Sequence, residues 1–246
     1  MPFQLNRFIW MVQYHKYDKQ IQTFLESQSE LTDVRWATSY SVVLQFPEES
    51  CPKLNSFVGS TSTIKTLLPS RSITELCWLN EWASDQNVAV GGALESKFRH
   101  DPIEVTELKE FAALRGLSLE GPVLDSIAMD PRFKGSSSLE VLEIAAEFND
   151  YQSGYPDGFK WAILRIILPK FSRLKKLVIT PRRPFPQTAN MPHNPTSEIG
   201  QLFAQCLNLR CVDILWDRDG IYRRWVDGGP LPNLLSIKRD RVLKFE

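Results

Sequence analysis

Metal ligands and paired thiols are sparse in this chain. Its 246 residues hold three histidines and four cysteines, with neither a C-x-x-C pair nor an H-x-x-x-H spacing. Structural zinc sites need several ligands at such spacings, and a disulfide framework needs denser cysteine. Cys51, Cys77, Cys206 and Cys211 are therefore expected to be reduced and mostly buried, and no metal or cofactor is expected. Net charge is missing too: Lys plus Arg and Asp plus Glu number 29 each. A balanced chain has no overall field to draw it to nucleic acid or an anionic membrane. Nor does any stretch approach the roughly 18 consecutive apolar residues of a membrane span. The apolar stretch Phe8 to Val12 is followed by Gln13, His15 and Lys16, so no signal peptide is read. The expectation is a cytoplasmic or nuclear protein with no membrane partner.

What the chain does have is a repeated pattern. Apolar residues stand ten, seven and six positions before a leucine and three and five after it: Ile21, Phe24, Leu25, Leu31, Val34, Trp36; then Leu164, Ile167, Leu168, Leu174, Leu177, Ile179; then Ile199, Leu202, Phe203, Leu209, Val212, Ile214. This spacing predicts a short amphipathic helix, a turn and a buried strand. Such a unit cannot cover its own apolar faces and must stack on copies of itself. The strand half alone recurs at Leu54, Ile73, Leu114, Leu139 and Leu234, giving eight candidate strands. The predicted fold is α/β, one domain over 1–246, an irregular leucine-rich-repeat-like solenoid with a parallel sheet on one face and helices on the other.

Helices are predicted over Lys16 to Gln28, Thr61 to Leu68, Val105 to Ala113, Phe159 to Leu168 and Ser197 to Cys206, where 3.6-residue periodicity meets capping or proline stop signals. Three longer loops are expected, at Ser84 to Asp101, Asn149 to Gly158 and Pro181 to Pro195, each rich in glycine or proline. Charge is uneven along the chain: residues 1–169 hold 15 basic and 22 acidic side chains, and 170–246 hold 14 and 7.

Cys51 to Trp78, reading CPKLNSFVGSTSTIKTLLPSRSITELCW, with FSRLKKLVI at 171–179, CLNLRCVDILW at 206–216 and IYRRWVDGGPLPNLLSI at 221–237, resembles the leucine-rich-repeat region of fungal F-box-like proteins of mushroom-forming fungi. The resemblance covers most of the chain. It implies the substrate-recognition part of an F-box-type ubiquitin-ligase receptor. No F-box start is found in residues 1–30, so a Skp1-type adaptor is expected to bind only through an F-box outside this chain. The asparagine that regular repeats carry nine positions into the motif is also missing.

Candidate functional residues follow from strand alternation. Side chains at the fourth and sixth template positions should face the helices, leaving those between them on a solvated face suited to a protein partner. That face collects Asp33, Arg35, Glu75, Glu120, Glu143, Lys176, Asp213 and Lys238. Tyr222, Arg223, Arg224 and Trp225 form a second candidate contact, because arginine and aromatic rings are enriched at interface hot spots; Trp225 has the alternative role of capping the last repeat. No catalytic constellation emerges: His15, His100 and His193 are scattered, and Gly91 with Gly92 lacks the rest of a phosphate loop. The leading expectation is a non-enzymatic protein-interaction scaffold. The alternatives are a hydrolase or transferase using strand-end loops, with His100 or the pair Asp217 and Asp219 converging, and weak nucleic-acid binding through the basic C-terminal part.

Overall fold

A computed structural model describes residues 4–12, 17–38, 47–79, 101–146, 161–181, 196–215, 221–227 and 229–230. The chain is a mixed α/β protein whose strands are mostly parallel, and it divides into two compact units, Met1–Leu114 and Arg115–Glu246. In the first unit β1 (Arg7–Val12), β2 (Asp33–Thr38), β3 (Ser56–Ser60) and β4 (Glu75–Leu79) lie side by side in chain order, all parallel. Between or after them come α1 (Asp18–Glu26), α2 (Thr61–Leu67) and α3 (Ile103–Thr106). In the second unit β5 (Gly116–Glu120), β6 (Val141–Ala146), β7 (Lys176–Pro181) and β8 (Cys211–Leu215) are parallel neighbours, interleaved with α4 (Gly121–Met129), α5 (Trp161–Ile167) and α6 (Thr196–Gln205). Two antiparallel strands, β9 (Tyr222–Val226) and β10 (Gly229–Pro230), complete it. Among the described residues no helix is long and apolar enough to cross a membrane.

One recurring turn sets where strands begin. The carbonyls of Cys51, Phe111, Phe171 and Cys206, residues with buried side chains, accept the N–H of the leucine three residues on: Leu54, Leu114, Leu174 and Leu209, at 2.9–3.3 Å. The strand starts two residues after that leucine in each case. At the entry, two successive N–H groups converge on one carbonyl of the preceding strand's entry. Thr32 and Asp33 share Asn6, Asn55 and Ser56 share Thr32, and Thr74 and Glu75 share Asn55. In the second unit Glu140 and Val141 share Arg115, Lys175 and Lys176 share Glu140, and Arg210 and Cys211 share Lys175. These bonds, 2.7–3.3 Å long, satisfy the entry N–H groups from backbone carbonyls; at Asn6 the Thr32 hydroxyl donates to the same carbonyl at 2.9 Å.

The template leucines and the fourth and sixth positions form the interior. Leu31, Val34 and Trp36, then Ile73, Leu76 and Trp78, are buried in the first unit; Leu139, Leu142 and Ile144, then Leu174, Leu177 and Ile179, are buried in the second. Trp78 carries a polar handle inward, and its Nε1 donates to the buried Thr61 Oγ1 at 3.0 Å. Thr61→Val should destabilise the protein by about 1 to 3 kcal/mol, because it strands a buried indole N–H. The same change made in a Trp78→Phe background should cost much less; equal losses in both backgrounds by urea denaturation would dismiss this bond as the cause.

Several expectations change on contact with the coordinates. The helix expected over 105–113 is two pieces, α3 and a 3-10 turn over Lys109–Ala113, because Leu108 adopts extended backbone between them. Helix α4 was not expected; Gly121 and Pro122 occupy its first positions, and Val123, Leu124, Ile127 and Ala128 supply its buried stripe. The parallel sheet is also incomplete, since β9 and β10 run antiparallel. The predicted strand beginning at Leu234 lies outside the described residues.

Candidate binding faces

Alternation along β1 to β4 turns one set of side chains away from the interior of the first unit. Two rows result from the registers: Arg7, Asp33, Ser56 and Glu75, then Ile9, Arg35, Val58 and Cys77. This face is open. Ile9 is 50% exposed and the Arg35 side chain 44%, while Val58 and Cys77, next in the row on β3 and β4, are half-buried. Asp33 sits between two guanidinium groups, with Arg7 Nε at 2.9 Å and Arg35 Nε at 3.7 Å. Glu75 is exposed two strands away. The surface therefore offers two cations, an acid paired with them, an outlying acid, and apolar side chains on either side of Arg35.

The equivalent positions of the second unit are closed. Glu143 on β6 is 2% exposed and accepts hydrogen bonds from Ser118 Oγ on β5 and Thr180 Oγ1 on β7, both at 2.8 Å. The Thr180 hydroxyl lies 3.0 Å from the Tyr222 hydroxyl of β9. Asp213 on β8 is wholly buried, and Arg224 grips it through two bonds of 2.7 Å from Nε and one terminal nitrogen. That fork is a bidentate carboxylate contact, the strongest form of the pair. The Asp213 hydrogen bonds raise the pKa of Arg224 against the lowering effect of its partial burial. Val141, Val178 and Tyr222 form an apolar cluster on the same side, with Leu215 against it. Five adjacent strands, β5 to β9, thus contribute to one interlocked surface.

Against that geometry, the sequence-derived list divides. Asp33, Arg35 and Glu75 stand on the face expected of them. Glu120 is only 7% exposed, and Glu143 and Asp213 are more deeply buried still, so these three are corrected from solvated to interior positions. For Glu143 and Asp213 the reason is pairing with hydroxyl and guanidinium groups that come from other strands. Lys176 is half-buried. Tyr222 and Trp225 are buried as well: Tyr222 joins the Val141 and Val178 cluster, and Trp225 aligns with Val212 on the interior side. The end-capping role, not surface contact, is what the position of Trp225 fits. Arg223 aligns with Ile214 and is half-buried. Lys238, His15, His100, His193, Gly91, Gly92, Asp217 and Asp219 lie outside the described residues.

No protein-family model matches this sequence, and no curated protein does either. Chemistry must therefore be judged from the residues themselves. Burial pushes the Cys51, Cys206 and Cys211 thiols up, away from the nucleophilic thiolate, and the Asp213 carboxylate adds to the effect at Cys211. Among the described residues no cluster of three or more His, Cys, Asp or Glu is placed to hold a metal ion. Glu143 and Asp213 are committed to partners on neighbouring strands. Several C-terminal cations are likewise engaged: Lys175 with Glu140 at 3.2 Å, Lys170 with the Phe133 carbonyl at 3.2 Å, and Arg224 with Asp213.

Proposed function

We propose that the protein is a non-enzymatic interaction scaffold of leucine-rich-repeat-like construction, and that it binds another protein on the open strand face of Met1–Leu114. The observation that carries this reading is the exposed set Arg7, Ile9, Arg35 and Glu75 on regularly spaced parallel strands, with Val58 and Cys77 half-buried among them. Apolar side chains interspersed with charges of both signs are the composition of a protein-recognition patch. A polyanion would be repelled by Glu75 and would find Arg7 and Arg35 already facing Asp33. The shared-carbonyl entries and the recurrent turn support the repeat construction in each unit. Resemblance to F-box-like receptors extends the reading to substrate recognition in ubiquitin-dependent turnover.

The test is affinity capture with the full chain and quantitative mass spectrometry. A bound protein should be retained by wild type and by Lys19→Glu on α1, and lost from the combined variant Arg35→Glu with Glu75→Lys. Circular dichroism should show all three folded alike. Capture that ignores the strand-face change while the fold is intact would remove the assignment.

A further inference from the structure

The outer edge of β1, which no described strand covers, carries a second inference, argued from its backbone groups. Sheet edges are dangerous because their free N–H and C=O groups accept any extended chain, and proteins ordinarily blunt them with lysine, proline, a bulge or a very short strand. The described β1 has none of these. It runs RFIWMV over six residues and stays in unbroken register with β2 from Arg7 against Asp33 to Val12 against Thr38. Its one charge is turned inward along the sheet, since Arg7 Nε binds Asp33 at 2.9 Å. Among the described residues β1 pairs with β2 alone. By contrast, the last described strand of the second unit, β10, has two residues, the second of them Pro230.

Backbone parity selects the occupant. Asn6 turns its carbonyl to β2, where it accepts from Thr32 and Asp33. Backbone groups alternate sides along a strand, so Phe8 and Trp10 also face β2, and Arg7, Ile9 and Met11 point their N–H and C=O groups outward. We propose that β1 pairs antiparallel with β1 of a second copy of this chain, across a two-fold axis at Ile9. In that register Ile9 opposes Ile9, and Arg7 opposes position 11. It is the only two-fold register in which all three outward residues meet outward residues, each pair exchanging both of its hydrogen bonds. Phe8 then faces Trp10 of the other copy in the closer, non-hydrogen-bonded pairing, extending an aromatic run that already stacks Phe8, Trp10 and Trp36 with centroids 6.3 and 6.4 Å apart. No like charges oppose one another. The interface is self-complementary, as a two-fold contact requires.

Sedimentation equilibrium on the full chain should show dimers in the micromolar range. Ile9→Lys places two ammonium groups opposite each other and should raise the dimer dissociation constant about tenfold or more; its circular dichroism spectrum should match wild type, since Ile9 is half exposed. Oxidised Ile9→Cys should link to its own copy, because hydrogen-bonded antiparallel partners have Cα atoms about 5.5 Å apart, within disulfide reach. Arg7→Cys should not, its copies lying about 14 Å apart at about 3.4 Å per residue. A wild-type monomer across that range, as when the edge is kept for a strand of another protein, overturns the proposal. So does a dimer untouched by Ile9→Lys, or one that cross-links through Arg7→Cys as readily as through Ile9→Cys.

Discussion

Gly135→Ala is expected to cost about 4 kcal/mol or more, a loss reserved for a few mechanisms of which backbone collision is one. Gly135 has φ of +84°, a region that L-residues with a Cβ avoid. Space is the larger obstacle. A Cβ there would stand 1.9 Å from the carbonyl oxygen of Lys170 and 2.7 Å from its carbon. Neither atom belongs to a flexible side-chain tip, so the two backbone segments must part. The segment after α4 and the turn after α5 are otherwise stitched closely: Phe133 meets Phe171 edge to face at 5.8 Å, and Lys170 both donates to the Phe133 carbonyl and lies over its ring at 5.1 Å. Parting them forfeits those contacts as well. Urea denaturation should show the midpoint fall sharply; a midpoint within error of wild type would mean that Gly135 is not held against Lys170.

The second large effect is expected at Arg224. Replacing it with methionine leaves the Asp213 carboxylate, with no exposed surface, stripped of its bidentate partner. Breaking a buried pair from one side costs about 3 to 5 kcal/mol, chiefly because a charge remains buried without compensation. The companion experiment separates that cause from lost side-chain contact. Asp213→Leu combined with Arg224→Met should recover most of the deficit, since an apolar pair of similar volume is often neutral in such positions. If the double variant is as unstable as the sum of its parts, the ion pair is not what those residues contribute.

Much of this fold could be read from residue spacing, because one local rule repeats. The template leucines at 31, 54, 114, 139, 174 and 209, and Ile73 in the same position, each lead a strand that begins two residues later. Alternation then told inside from outside correctly at Val34, Arg35 and Trp36, where the neighbouring strands leave Arg35 in water. It failed at Glu143 and Asp213 for a physical reason. Their partners, Ser118, Thr180 and Arg224, sit 25, 37 and 11 residues away, and only strand order brings them together. Tyr222 to Val226 looked like a surface cluster because its two arginines dominate the composition. Its alternation, Tyr222, Arg224 and Val226 on one side and Arg223 and Trp225 on the other, was the overlooked signal of a strand. Helix α4 was masked by the opening Gly-Pro, which punctuates a turn and opens a helix equally well.

The shared-carbonyl strand entries have a consequence for how this chain tolerates change in length. From Cys51, Phe111, Phe171 and Cys206 to the following leucine the count is invariant, whereas the number of residues from one strand's last residue to the next described helix runs from none, after β3 and β5, to those separating Leu79 from Ile103 or Pro181 from Thr196. Register is fixed on arrival and indifferent to what happened on departure. Inherited or engineered additions therefore belong on the exit side of each strand, where a new segment lengthens the rim without disturbing the alignment of anything beneath it.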